Sequence, residues 1–325
     1  MPSLLETCPP ELLELVCANL EDSRDHAAFS LVCSALRPSG RQALYSVLSV
    51  QRGECDAFQA FFSSNWGLLL GVRALTLSWS SRFAPALHWF SGLCTLSVAR
   101  AKGDLLVSLP LLQNLRILIL NFTAHREVGC NQLEALLSSC PQLQELALSN
   151  LHLSPRAMWT PSQLPPSRLR RLAITQSSGC SIFGQPTSPF DLSTITDFIV
   201  GDTDWTPGPE AISLSTLVLG DVLDVLPGLT HYPAMSNLYM TLDAVERLQT
   251  PQEYQTLPNT VTELHVDITL RTSQQVSNAL KPFLDSTQRR LVLHHPSNQL
   301  PPGFTLASNI LVSASKDFTM FCAAW

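Results

Sequence analysis

The chain has 325 residues, 45% of them apolar and only 14% charged, so there is ample material for a core and wholesale disorder is excluded. Lys and Arg number 20 against 26 Asp and Glu, a net charge of −6 with no basic block, which argues against a binder of nucleic acid or of anionic membranes. A chain of this length is either two domains or one architecture that grows by repetition.

The longest apolar runs, such as Trp66 to Val72, fall far short of the roughly 20 residues of a membrane span. The expectation is a soluble chain with no membrane contact. Met1 to Pro10 carries neither a basic region nor a long apolar one, so no signal peptide is expected there. Nine cysteines without pairing rhythm point to reduced thiols and a cytoplasmic or nuclear compartment.

In chain order, residues 1–49 read as a helical domain. Pro9 and Pro10 suit a first helical turn, and Glu11 suits the positive end of the helix dipole. Leu12, Leu15, Val16 and Leu20 then recur at helical spacing, with Leu13 on the border of the stripe. Asp22 and Ser23 are cap-type residues before a second amphipathic stretch, Ala28 to Cys33, and Ala43, Leu44, Val47 and Leu48 predict a third helix beyond Pro38. So small a unit buries little surface alone, so it needs a neighbour or a partner. Residues 50–69 read as a linker or first return segment.

From residue 70 to 325 a different rhythm holds. An apolar-x-x-apolar-x-apolar pattern starts at Val72-Leu75-Leu77 and Leu93-Leu96-Val98 and runs through eleven units to Ala307-Ile310-Val312. Middle positions recur every 19 to 28 residues, as in Leu75, Leu96, Leu118 and Leu146, which is the range of leucine-rich repeats, roughly 20–29. The last two apolar positions are two apart and share one face of a short strand. Stacked units would line these strands into a parallel sheet with a continuous core. Gln132 to Ser139 and Ser273 to Leu284 predict helical returns, whereas 154–168 and 201–210 carry Pro and Gly and predict irregular ones.

Residues 8–48 resemble the F-box. Pro9-Pro10-Glu11-Leu12-Leu13-Glu14-Leu15-Val16 matches its opening, Asp22 to Asp25 its acidic link, and Ser30-Leu31-Val32-Cys33-Ser34 its second half. Cys8 stands where the family has Leu, and Leu36 where it has Trp. The remainder resembles the leucine-rich repeats that often follow an F-box, although the Asn that closes each repeat is missing from nearly every unit. The resemblance implies an α/β chain: an N-terminal three-helix unit, then an irregular solenoid with a curved parallel sheet and a C-terminal cap. It also implies a non-catalytic adaptor, which docks on the Skp adaptor and through it on a cullin–RING ligase, and which presents a protein substrate of unknown identity for ubiquitination. Carried over residue by residue, docking falls to Pro9, Pro10, Leu12, Leu13, Leu15, Val16, Leu20, Leu31, Val32, Cys33 and Leu36.

For substrate capture the outward-pointing strand positions are the candidates. The row between the two strand leucines includes Ile119, Ile199, Tyr239 and His265; the row before it includes Glu145, Arg171, Asp197, Glu263 and Arg290. An apolar seam beside a charged rim has the anatomy of a protein interface, and Tyr239 and His265 fall on adjacent strands within it. The alternative is that a loop or the tail covers the seam. No GxSxG, Gly-rich phosphate loop or HExxH occurs, so no catalytic residue, cofactor or metal ligand is assigned. Asp202 and Asp204 read as turn or cap residues, and Gly179-Cys180-Ser181 is the one loop that could host a nucleophile. The competing functional reading is a repeat scaffold or inhibitor whose front segment only caps the solenoid.

Overall fold

The computed structural model describes residues 44–51, 66–78, 84–109, 111–123, 127–154, 168–205, 208–220, 231–242, 260–268, 290–295 and 310–314. It also describes isolated positions: 9, 12, 16, 27, 28, 30, 31, 40, 60, 64, 159, 229, 245 and 280. The chain falls into two compact units. One comprises Met1–Thr123 with Ala135–Leu143, the other Ala124–Glu134 with Gln144–Trp325.

In the first unit four strands lie parallel in sequence order: β1 (Val47–Val50), β2 (Ala74–Leu77), β3 (Thr95–Ala101) and β4 (Ile117–Phe122). Their register is unbroken at the apolar positions, with Leu48 opposite Leu75, Leu75 opposite Leu96, and Leu96 opposite Leu118. The α-helix α1 (Gly103–Ser108) and two 3-10 turns, Trp66–Gly71 and Ala84–Trp89, serve as returns. In the second unit the same logic runs through β6 (Glu145–Ser149), β8 (Arg171–Ser177), β9 (Asp197–Thr203) and β10 (Thr216–Leu219). It continues through β11 (Asn237–Thr241), β12 (Glu263–Asp267), β13 (Arg290–His295) and β14 (Ile310–Ala314). A small parallel pair, β5 (Glu127–Val128) with β7 (His152–Leu153), stands apart. The second α-helix, α2 (Cys130–Ser139), falls where Gln132 to Ser139 predict one, with Leu133 and Leu136 fully buried.

The packing explains the spacing. In the nine rungs from Val72 to Val266 the turn residue and the two strand residues of the motif are buried together, as Val72, Leu75 and Leu77 are, or Leu169, Leu172 and Ile174. Each such side chain contributes about 1.5–3 kcal/mol by leaving water, but only when the next rung covers it. Backbone bonding repeats as well. One carbonyl just ahead of a strand accepts two successive N–H groups of the next rung: Ser46 from Arg73 and Ala74, Arg73 from Cys94 and Thr95, Ser215 from Ser236 and Asn237. A column of hydroxyls reinforces this in the second unit: Ser215 donates to Thr196 O (3.0 Å), Ser236 to Ser215 O (3.3 Å), and Thr262 to Ser236 O (3.3 Å). The sequence reading missed this column, which supplies polar cross-links in a chain whose repeats lack the closing Asn.

The expected three-helix unit ahead of the sheet requires correction. The described elements make an α/β arrangement dominated by parallel strands, and the two α-helices among them, α1 and α2, follow β3 and β5 rather than preceding the sheet. The stretch read as a third helix ends early: Leu44 is helical, Tyr45 and Ser46 turn, and β1 begins at Val47. The physical reason is periodicity. Leu48 and Val50 turn inward while Val47 and Ser49 face out, a period of two with β-branched residues, and pairing with β2 satisfies the backbone that a helix would have satisfied locally. The predicted helix from Ser273 to Leu284 lies outside the described residues except for Leu280, which is helical and buried. Among the described residues no helix is long and apolar enough to cross a membrane.

Candidate protein-interaction face

Register places the predicted rows side by side in the second unit. Glu145, Arg171 and Asp197 are successive partners in one row, as are Glu263 and Arg290; Tyr239 pairs with His265, which pairs with Val292. Ile119 occupies the equivalent position of β4 in the first unit, opposite Ser97.

The charged row is largely matched within itself. Arg171 Nη1 lies 3.3 Å from Glu145 Oε2, and Arg290 Nη1 donates to Glu263 Oε1 at 2.8 Å. Asp197 accepts from the hydroxyl of Thr196 at 2.8 Å. Such part-exposed pairs are worth at most about 1 kcal/mol each, so their consequence is orientation and charge pattern more than stability. The middle row departs from the expected solvent-facing apolar strip: Ala147, Ala173, Ile199, Val218 and Val292 are all buried.

Tyr239 and His265 meet ring to ring on this face. Their rings stack with centroids 3.9 Å apart and planes 15° apart, and His294 lies beside them, its ring centroid 5.2 Å from that of His265 and 6.2 Å from that of Tyr239. His265 Nδ1 lies 3.0 Å from His294 Nε2, and its Nε2 lies 3.3 Å from Glu263 Oε2. Burial, reinforced by the neighbouring His294, lowers the His265 pKa to about 4, so at neutral pH the ring is uncharged. The neutral ring donates its Nε2–H to Glu263 and accepts the His294 Nε2–H at Nδ1. The sequence analysis singles out Tyr239 and His265 but not His294. Alternation would have found it, since His294 lies two residues past Val292, on the face of His265, with Asp267 opposite in register. Among the described residues no group of three or more His, Cys, Asp or Glu side chains is arranged to hold a metal ion.

The candidate nucleophile resolves differently. Cys180 is fully buried and its thiol is pushed up to about 12 by that burial, so it stays protonated and unreactive. Asp204 reaches back to this loop: Oδ2 accepts from Gly179 N (2.7 Å) and Oδ1 from Cys180 N (3.0 Å). It holds a turn in which Gly179 has φ +72°, where an added Cβ would lie 2.7 Å from Leu153 O. Nearby, Trp159, Phe183, Phe190 and Phe198 are buried, and Trp205 packs edge-on against Phe198 at 5.6 Å. These aromatics fill a core rather than a surface.

Of the residues assigned to Skp docking, Pro9, Leu12, Val16 and Leu31 are described; Pro10, Leu13, Leu15, Leu20, Val32, Cys33 and Leu36 lie outside the described residues. Leu12, Val16 and Leu31 are 51%, 48% and 78% exposed. Leu12 and Val16 both have helical backbone, and Leu12 N closes a turn onto Pro9 O at 3.1 Å. Leu31 points outward because its neighbour Ser30 points in. Ser30 is buried, its hydroxyl donates to Ala27 O at 2.7 Å, and Gly40 presses so close that an added Cβ would lie 2.7 Å from Ser30 Cβ. No protein-family model matches this chain, and no curated protein matches it.

Proposed function

We propose that the chain is a non-catalytic recognition adaptor that docks on the Skp adaptor of an SCF ubiquitin ligase through residues 9–36 and captures a protein substrate on the sheet of its second unit. The observation that carries this reading is the exposure of Leu12, Val16 and Leu31. Single exposed apolar side chains are ordinary on a protein surface; these three carry weight because they belong to the set that the F-box resemblance assigns to docking and are free to meet a partner. The chemistry of ubiquitin transfer resides in the recruited enzymes. The adaptor contributes proximity, raising the effective concentration of a substrate lysine near the activated ubiquitin.

The test is co-purification of the full chain with the Skp adaptor, comparing wild type with Leu31→Asp. At 78% exposure the substitution should change folding stability by no more than about 0.5 kcal/mol, while a charge at the centre of an apolar contact should weaken adaptor binding at least tenfold. Equal binding by both proteins, or none by the wild type, contradicts the reading.

A further inference from the structure

The face of the second unit carries a feature that the charged row and the imidazole stack leave unused. Where β6, β8, β9 and β10 run side by side, Ala147, Ala173, Ile199 and Val218 floor a cavity of about 130 Å³. Its existence follows from the sequence. On the floor row two of four positions are Ala, and one step further along the strands the row reads Ser149, Thr175, Gly201, Gly220 and Thr241, small side chains or none. Gly220 is dictated by backbone approach, since a Cβ there would lie 2.9 Å from Gly201 Cα. Gly201 is not so constrained: a Cβ there meets nothing closer than 3.7 Å. Its side of the cavity is therefore open space that a side chain could have filled.

Size and lining define the occupant. A cavity of about 150 Å³ lined by apolar groups accepts one benzene-sized ligand, so this one fits a single leucine or phenylalanine side chain. The floor is apolar and carries no charge, so a charged group would lose its hydration without compensation. The open end is polar. The Ser149 and Thr175 hydroxyls lie 2.7 Å apart and hydrogen-bond to each other, which uses one of their two hydrogens and leaves one donor and spare lone pairs. An amide, with one donor and one acceptor beside its side chain, matches that rim; a bare hydrocarbon does not. We infer that this cavity is the acceptor for one leucine- or phenylalanine-sized side chain of the captured protein, with the adjoining peptide group held at the Ser149–Thr175 rim. This inference rests on the substrate-capture half of the proposed function.

The full chain is titrated with N-acetyl-leucinamide, N-acetyl-phenylalaninamide and N-acetyl-glycinamide by ligand-observed NMR, with isobutanol and toluene as amide-free controls. Saturable binding of the leucine or phenylalanine amide is expected, with the glycine amide at least tenfold weaker. Gly201→Val, which fills the cavity from a position with room for a Cβ, should lower binding at least tenfold with an unchanged far-UV circular dichroism spectrum. Should that variant misfold, Ala173→Leu fills the same space from the floor and is read the same way. The proposal is overturned if the three amides bind equally or not at all, or if a folded cavity-filled variant binds as well as wild type. It is also overturned if isobutanol or toluene binds as tightly as the amides, which would make this a site for free small molecules. None of these probes involves the Skp adaptor, so failure here and failure of adaptor docking are separate results.

Discussion

His265 illustrates what a single buried side chain does on this face. It lies with its face on Tyr239 of β11 and its edge against His294 of β13, with Glu263 on its own strand and Arg290 beyond. Its pKa falls from 6.5 to about 4 on folding, through burial first and His294 second. The unfolded chain therefore binds a proton in the window from pH 6.5 down to 4 that the native ring refuses, and stability falls as the pH drops through it. The slope from this residue is at most about 1.4 kcal/mol per pH unit, the one-proton limit, and it levels off below pH 4. Urea midpoints measured from pH 7.5 to 4 should show this decline, and His265→Gln should flatten it. An unchanged slope in the variant would place the titration elsewhere. The same residue shows why the repeat motif alone gives only half of the cluster: Tyr239 and His265 are direct register partners within it, whereas His294 lies just past the motif and, although strand alternation puts it on the same face, reaches His265 on the diagonal.

At the scale of elements, the motif strands are legible and, α2 apart, the described returns are not. Each of the eleven motif units holds a strand at its two-apart apolar pair, because that pair can be buried only by the pleat that puts both on one face. β1 escaped notice because it sits in a stretch whose helical-looking Ala43, Leu44, Val47 and Leu48 obscure the period of two. Most described returns are short 3-10 turns, which carry no strong periodic signature. Close strand packing leaves a measurable asymmetry between two adjacent glycines. Gly220→Ala should destabilise by about 1–3 kcal/mol, since backbone must move to admit the methyl group. Gly201→Ala should be neutral or stabilise by about 0.4–1 kcal/mol by restricting the unfolded chain. Denaturant unfolding of the two variants checks this, and equal effects would argue against the paired register of β9 and β10.

At the scale of the whole molecule, repetition makes the fold readable: within each compact unit an error in one rung is corrected by its neighbours, since each strand there shares the register of the next. The candidate site was less legible because its properties are differences between rungs. Burial of Ala147 and Val218, the cavity left by Gly201, and the self-pairing of the charged row each depend on which side chains meet across strands. The front segment has no such redundancy, and there Leu12, Val16 and Leu31 speak through their exposure alone. Hydrogen exchange of the full chain, followed by mass spectrometry with and without saturating Skp adaptor, tests the division of labour most directly. Slowed exchange confined to peptides spanning residues 9–36, with β8 to β13 unchanged, is the expected result. Protection of the strands instead, or no protection of residues 9–36, would contradict it.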